Sequence, residues 1–103
     1  MVLAPYLLLT AAHLAQPAAA PRFDVGPSCR GASDQRLAYG QSFKECIRDE
    51  TAARDEVDRN WSSYAGAARG RCGAEVMIGG DPSYVELLTC MEMDKMTPKR
   101  LQN

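Results

Sequence analysis

Histidine is almost missing from this sequence. The only one, His13, lies in residues 1–21, a stretch with no Lys, Arg, Asp or Glu either. From Arg22 onward there is no histidine, which excludes Ser–His and Cys–His nucleophilic systems from that part of the chain. A C-x-x-C pair is absent, and with it the usual redox-catalyst arrangement. No G-x-S-x-G, P-loop or G-x-G-x-x-G occurs. A basic excess is lacking as well. Twelve Lys/Arg stand against 13 Asp/Glu, a formal net charge of −1, which argues against nucleic acid as a partner. From Arg22 onward there is no apolar run near the ~20 residues that a membrane span needs.

What is present begins with the uncharged stretch itself, MVLAPYLLLTAAHLAQPAAAP. Val2 to Ala12 is apolar apart from Thr10, and alanines follow at 18–20. An apolar segment of about 7–15 residues ahead of small residues is the design of a secretory signal peptide. Residues 1–21 are therefore expected to be a signal-like helix and residues 22–103 the exported domain. No Lys or Arg precedes the apolar segment, and Pro21 directly follows Ala20, which moves the expected cut away from that bond. An uncleaved anchoring tail is the alternative.

Four cysteines, Cys29, Cys46, Cys72 and Cys90, all fall after the leader. An even count in a short exported chain reads as a disulfide framework. Their gaps, C-x16-C, C-x25-C and C-x17-C, offer no zinc knuckle. A domain of about 80 residues buries only slightly more than its ordering entropy demands, so staples matter. A bridge closing about 17 residues contributes ~3 kcal/mol.

Helical periodicity dominates the rest. Phe43, Cys46, Ile47, Ala53, Val57, Trp61 and Tyr64 recur at helical steps, which predicts one long helix over residues 42–65. Ser42 is its expected cap, with Glu45 completing a capping box. Glu50–Arg54 and Asp55–Arg59 are spaced as i,i+4 ion pairs on its solvent face. A weaker helix over residues 67–78 carries Ala68, Cys72 and Val76 on one face, and Gly79-Gly80 ends it. A third helix follows, capped either by Asp81 with Pro82 in its first turn or by Ser83 with Glu86. Tyr84, Leu87, Leu88 and Met91 form its apolar stripe. Residues 21–33 read as an extended lead-in, with a short helical turn within Ser33–Tyr39, and residues 97–103 as a loose tail. The expected fold is all-α: three to four helices stapled by two disulfides.

Helix geometry favours one pairing. If residues 67–78 and 83–95 form an antiparallel hairpin, Cys72 and Cys90 lie about equally far from its turn and can face each other. Cys46 and Cys72 are separated by most of a long helix, at roughly 1.5 Å per residue. Cys72–Cys90 with Cys29–Cys46 is preferred, and Cys46–Cys90 with Cys29–Cys72 is the alternative.

The segment Cys46-Ile-Arg-Asp-Glu50, then Ala53-Arg54, Trp61, Arg71-Cys72 and Pro82-Ser-Tyr-Val-Glu-Leu-Leu-Thr-Cys90-Met-Glu-Met93, resembles an uncharacterised family of small exported four-cysteine helical bacterial proteins. The resemblance covers roughly residues 25–95, and its last motif is the specific part. It implies a periplasmic helical protein of Gram-negative bacteria and brings no activity and no catalytic residues. In layout alone, the chain is also similar to periplasmic lysozyme-inhibitor-type domains.

The remaining chemistry is sparse. Asp49, Glu50, Asp55, Glu56 and Asp58 alternate with Arg48, Arg54 and Arg59, which reads as a solvated helix face rather than a glycosidase-type carboxylate pair. Trp61 and Tyr64 read as core. Met91 reads as core and Met93 and Met96 as rim, rather than as a copper site. Asn60-Trp61-Ser62 matches a glycosylation sequon inside a helix. The expectation is thus a periplasmic or secreted, non-enzymatic structural or protein-interaction module, without cofactor or metal, meeting an unknown protein partner. The alternatives are an inhibitor or binder of an envelope enzyme such as lysozyme, and a small carboxylate-dependent hydrolase.

Overall fold

A computed structural model describes residues 19–34 and 42–97. The expected leader up to residue 18, the Ser33–Tyr39 turn beyond Asp34, and the tail from Pro98 lie outside the described residues. The chain forms helices α1 (Gly26–Asp34) and α2 (Phe43–Asn60), a 3-10 turn at Trp61–Ser63, and helices α3 (Gly66–Glu75) and α4 (Tyr84–Met96). Among the described residues there is no strand, so the domain is all-α, held by the disulfides Cys29–Cys46 and Cys72–Cys90. No helix among the described residues is long and apolar enough to cross a membrane.

The lead-in differs from its extended reading, because α1 occupies Gly26–Asp34. The Asp24 carboxylate accepts the Gly26 N–H at 3.0 Å and so starts the turn. Pro27 then falls in the first turn, where a missing N–H costs nothing. Cys29, fully buried, anchors the helix through its bridge to Cys46.

Helix α2 starts where its cap dictates. The Ser42 hydroxyl accepts the Glu45 N–H at 3.1 Å and donates to that residue's Oε1 at 2.9 Å. Its buried stripe is Cys46, Glu50, Ala53 and Val57, while Phe43 is exposed. The stripe continues through Trp61 and Tyr64, whose rings meet edge-on at 6.3 Å. Cations lie over both rings: Arg69 5.7 Å from the Trp61 centroid and Lys95 4.9 Å from that of Tyr64.

Helix α3 buries Ala68 and Cys72, and Val76 just past its end is buried too. Gly79 and Gly80 adopt φ of +94° and +86° to reverse the chain. Of the two candidate caps for α4, Ser83 is the one used, accepting the Glu86 N–H at 3.2 Å. Tyr84, Leu87 and Met91 on α4 then join Ala53, Val57, Trp61, Tyr64, Ala68 and Cys72 in one core. Burying a Leu or Met side chain fully contributes roughly 1.5–3 kcal/mol.

The chain just before α1 closes over this core. The Phe23 ring packs on that of Tyr84 at a tilt of 37°, with centroids 4.7 Å apart. The Phe23 N–H donates to the Tyr84 hydroxyl at 2.8 Å, which in turn donates to the Pro21 carbonyl at 3.0 Å. Arg22 grips both oxygens of Asp58 at 3.0 and 3.1 Å, which raises the pKa of its guanidinium. Ala20 is buried in the same core.

Candidate functional site

Two places concentrate polar chemistry: a buried carboxylate under the start of α4, and an open groove on the outer face of the α3–α4 hairpin. The carboxylate is Glu50, only 4% exposed. Its Oε2 accepts the Ser83 hydroxyl at 2.5 Å and its Oε1 accepts the Tyr84 N–H at 2.6 Å. This corrects the solvated ion pair expected between Glu50 and Arg54, because Arg54 instead lies 3.5 Å from Asp55. The positive end of α4 and two donors compensate the charge in place of water. Both oxygens are committed to donors of the fold itself, so Glu50 is a structural brace between α2 and α4.

The groove arises because α4 carries two apolar stripes. One faces the core. The other, Val85 and Met93 with Thr89 between them, faces out, at 41% exposure for Val85 and 63% for Met93. The Thr89 and Thr97 hydroxyls donate to the Val85 and Met93 carbonyls at 2.8 and 3.1 Å, so they present little free polarity. Arg71 and Glu75 on α3 form the opposite wall. The groove encloses about 420 Å³.

Electrostatics at its rim are organised by Arg71. Its guanidinium donates to Asp94 at 2.7 Å and lies 4.0 Å from Glu75. The Asp94 hydrogen bond, aided by the charges of Asp94 and Glu75, raises the pKa of Arg71. Two groove carboxylates therefore share one cation, unlike a poised acid–base pair. The whole segment 72–94 holds Glu75, Asp81, Glu86, Glu92 and Asp94 and no Lys or Arg. At its tip Met77 and Ile78 stand exposed, Ile78 at 81%.

The four cysteines differ in access. Cys29, Cys46 and Cys72 are buried, whereas Cys90 is half-buried and lines the groove. The Cα atoms of Cys72 and Cys90 are 5.7 Å apart, and Glu75 Oε2 lies 3.4 Å from the Cys90 sulfur.

Other residues singled out in the sequence fall as follows. Trp61 and Tyr64 are core, and the Tyr64 hydroxyl is buried without a hydrogen-bond partner. Burial pushes the Tyr64 phenol above its ordinary value, helped by the charges of Glu92 and Glu56. Met91 is 1% exposed, and Met93 and Met96 are exposed. The Asn60 amide of the sequon donates to the Glu56 carbonyl at 2.9 Å. All four thiols are bridged, and among the described residues no three His, Cys, Asp or Glu side chains group to hold a metal.

Sequence reasoning missed the outward stripe, because Val85 and Met93 do not belong to the core period. The signal was present as spacing: Val85, Thr89 and Met93 recur every fourth residue beside the buried set. Comparison with family models, with curated proteins and with solved structures finds no match to this chain.

Proposed function

We propose that this chain is an exported, non-enzymatic interaction module whose contact surface is the outer face of the α3–α4 hairpin. The observation that carries the reading is the groove, where Val85 and Met93 remain exposed on the face of α4 turned away from its buried Tyr84, Leu87 and Met91. Exposed apolar surface rimmed by charge is the usual form of a protein contact site. The two disulfides support export to an oxidising compartment, periplasmic or secreted, where such bridges persist.

The test is capture from an envelope fraction by the immobilised, oxidised protein, run beside a Val85→Asp/Met93→Asp variant. A protein retained by the native chain and lost from the variant supports the module. Identical captures from both remove the groove from the function. Secretion is tested separately by fractionating cells that make the full chain, and a cytoplasmic, reduced protein would overturn export.

A second reading is an inhibitor or binder of a cationic envelope enzyme such as lysozyme. It is favoured by the acidic run from residue 72 to 94 and the exposed Ile78 at its tip. Slowed lysozyme turnover that is restored by Ile78→Asp would support it. Unchanged turnover at excess protein would remove it.

A further inference from the structure

The two disulfides have unequal access, and the difference has a chemical consequence. Thiol–disulfide exchange requires a thiolate to approach one sulfur in line with the S–S bond. Cys29 and Cys46 are both buried, so neither end of that bridge admits a reagent. In the other bridge Cys72 is fully buried, but Cys90 lines an open groove of about 420 Å³. We propose that Cys90 is a thiol-exchange site: the groove admits an incoming thiol to its sulfur, and the Cys72–Cys90 bridge opens and closes through that atom. The inference rests on access to the sulfur and not on the interaction reading above.

The step balances as follows. The reagent thiolate bonds to Cys90 Sγ while the Sγ–Sγ bond breaks. The electron pair leaves on Cys72, which takes up a proton. When the reagent is a dithiol, its second thiolate attacks the mixed disulfide and releases Cys90. The dithiol is oxidised by two electrons and the bridge is reduced by two. Run in reverse from a disulfide donor, the same path closes the bridge.

The groove also selects the reagent. Glu75, Glu86 and Asp94 line it against the single cation Arg71, and Glu75 Oε2 sits 3.4 Å from the sulfur under attack. The approaching thiolate meets net negative charge, which a cation on the same reagent offsets and an anion worsens. Val85 and Met93 add an apolar wall. The fitting ligand class is a thiol carried on a positively charged, partly apolar molecule or segment.

The experiment uses the full, oxidised chain in native buffer. It is treated with limiting dithiothreitol, alkylated at intervals and mapped by peptide mass. The expected result is labelling of Cys72 and Cys90 at least about tenfold faster than Cys29 and Cys46. Cysteamine adducts, trapped by acid, are expected on Cys90. Rates per thiolate for cysteamine should exceed those for mercaptoethanesulfonate, and Glu75→Gln should narrow the ratio. Direct attack should also be insensitive to dilute urea. Equal opening of both bridges, adducts on Cys72, indifference to reagent charge, or strong acceleration by dilute urea would each overturn the proposal.

Discussion

At the scale of single residues, Glu50 and Tyr64 are opposite cases of buried polarity. Glu50 is buried with both oxygens satisfied, by the Ser83 hydroxyl and the Tyr84 N–H. Removing it strands two donors, so Glu50→Ala should lower stability by about 1–3 kcal/mol in urea unfolding. Glu50→Gln keeps one acceptor and should fall between the two. Tyr64 is buried with its hydroxyl unsatisfied. Tyr64→Phe removes that polar group and keeps the ring, so it should leave stability within ~1 kcal/mol of native, on the stabilising side. The pH dependence follows from the sign of its shift. The folded phenol has its pKa raised above the ordinary value near 10. Its contribution is complete below that value and is lost as pH climbs through the raised one. Alkaline titration of the melting temperature should therefore fall less steeply in Tyr64→Phe. Glu50 was half legible in advance. It stands four residues after Cys46 and three before Ala53, on the buried stripe itself. Its charge and the Arg54 four residues on argued for solvent, and only the arrival of α4 decides otherwise.

Among the elements, glycine separates helix from turn. Gly73 is helical, and a Cβ built there meets nothing within 4 Å. Gly73→Ala should stabilise by about 0.4–1 kcal/mol through reduced freedom of the unfolded chain. Gly79 also has open space around it, but its φ is +94°. Gly79→Ala should destabilise by roughly 1–2 kcal/mol from backbone strain alone. Thermal unfolding of the pair, run side by side, checks both signs, and a shift in one direction for both would contradict this account. The helices α2, α3 and α4 were legible because each repeats apolar residues at helical steps and two are opened by Ser with Glu three residues on. Helix α1 was not, because Gly26, Pro27 and Gly31 mimic a loop and Ala32 is its sole apolar neighbour to Cys29. What holds α1 is a disulfide and an Asp24 turn, which periodicity does not register.

On the scale of the whole molecule, the bridges and the lead-in close the structure from both ends. The Cys72–Cys90 bridge spans 18 residues, and its loss in a Cys72→Ala/Cys90→Ala variant should cost about 3 kcal/mol in urea unfolding. If the leader is removed on export, as its signal-like sequence predicts, the cut should spare Ala20, since that residue lies in the core and the Pro21 carbonyl accepts from Tyr84. N-terminal mass analysis of the exported protein should find a first residue at or before Ala20. A start at Pro21 or later would contradict the role given to this segment. The Tyr84 hydroxyl also sets an order of events in time. Its two partners, Phe23 and Pro21, precede it by 61 and 63 residues. A chain that emerges from its N-terminus has Phe23 waiting, without its ring partner, until almost the last helix has appeared. The Cys29–Cys46 bridge and the Arg22–Asp58 pair can form earlier, so Tyr84 is the last of these contacts to reach the front of the domain and completes its closure.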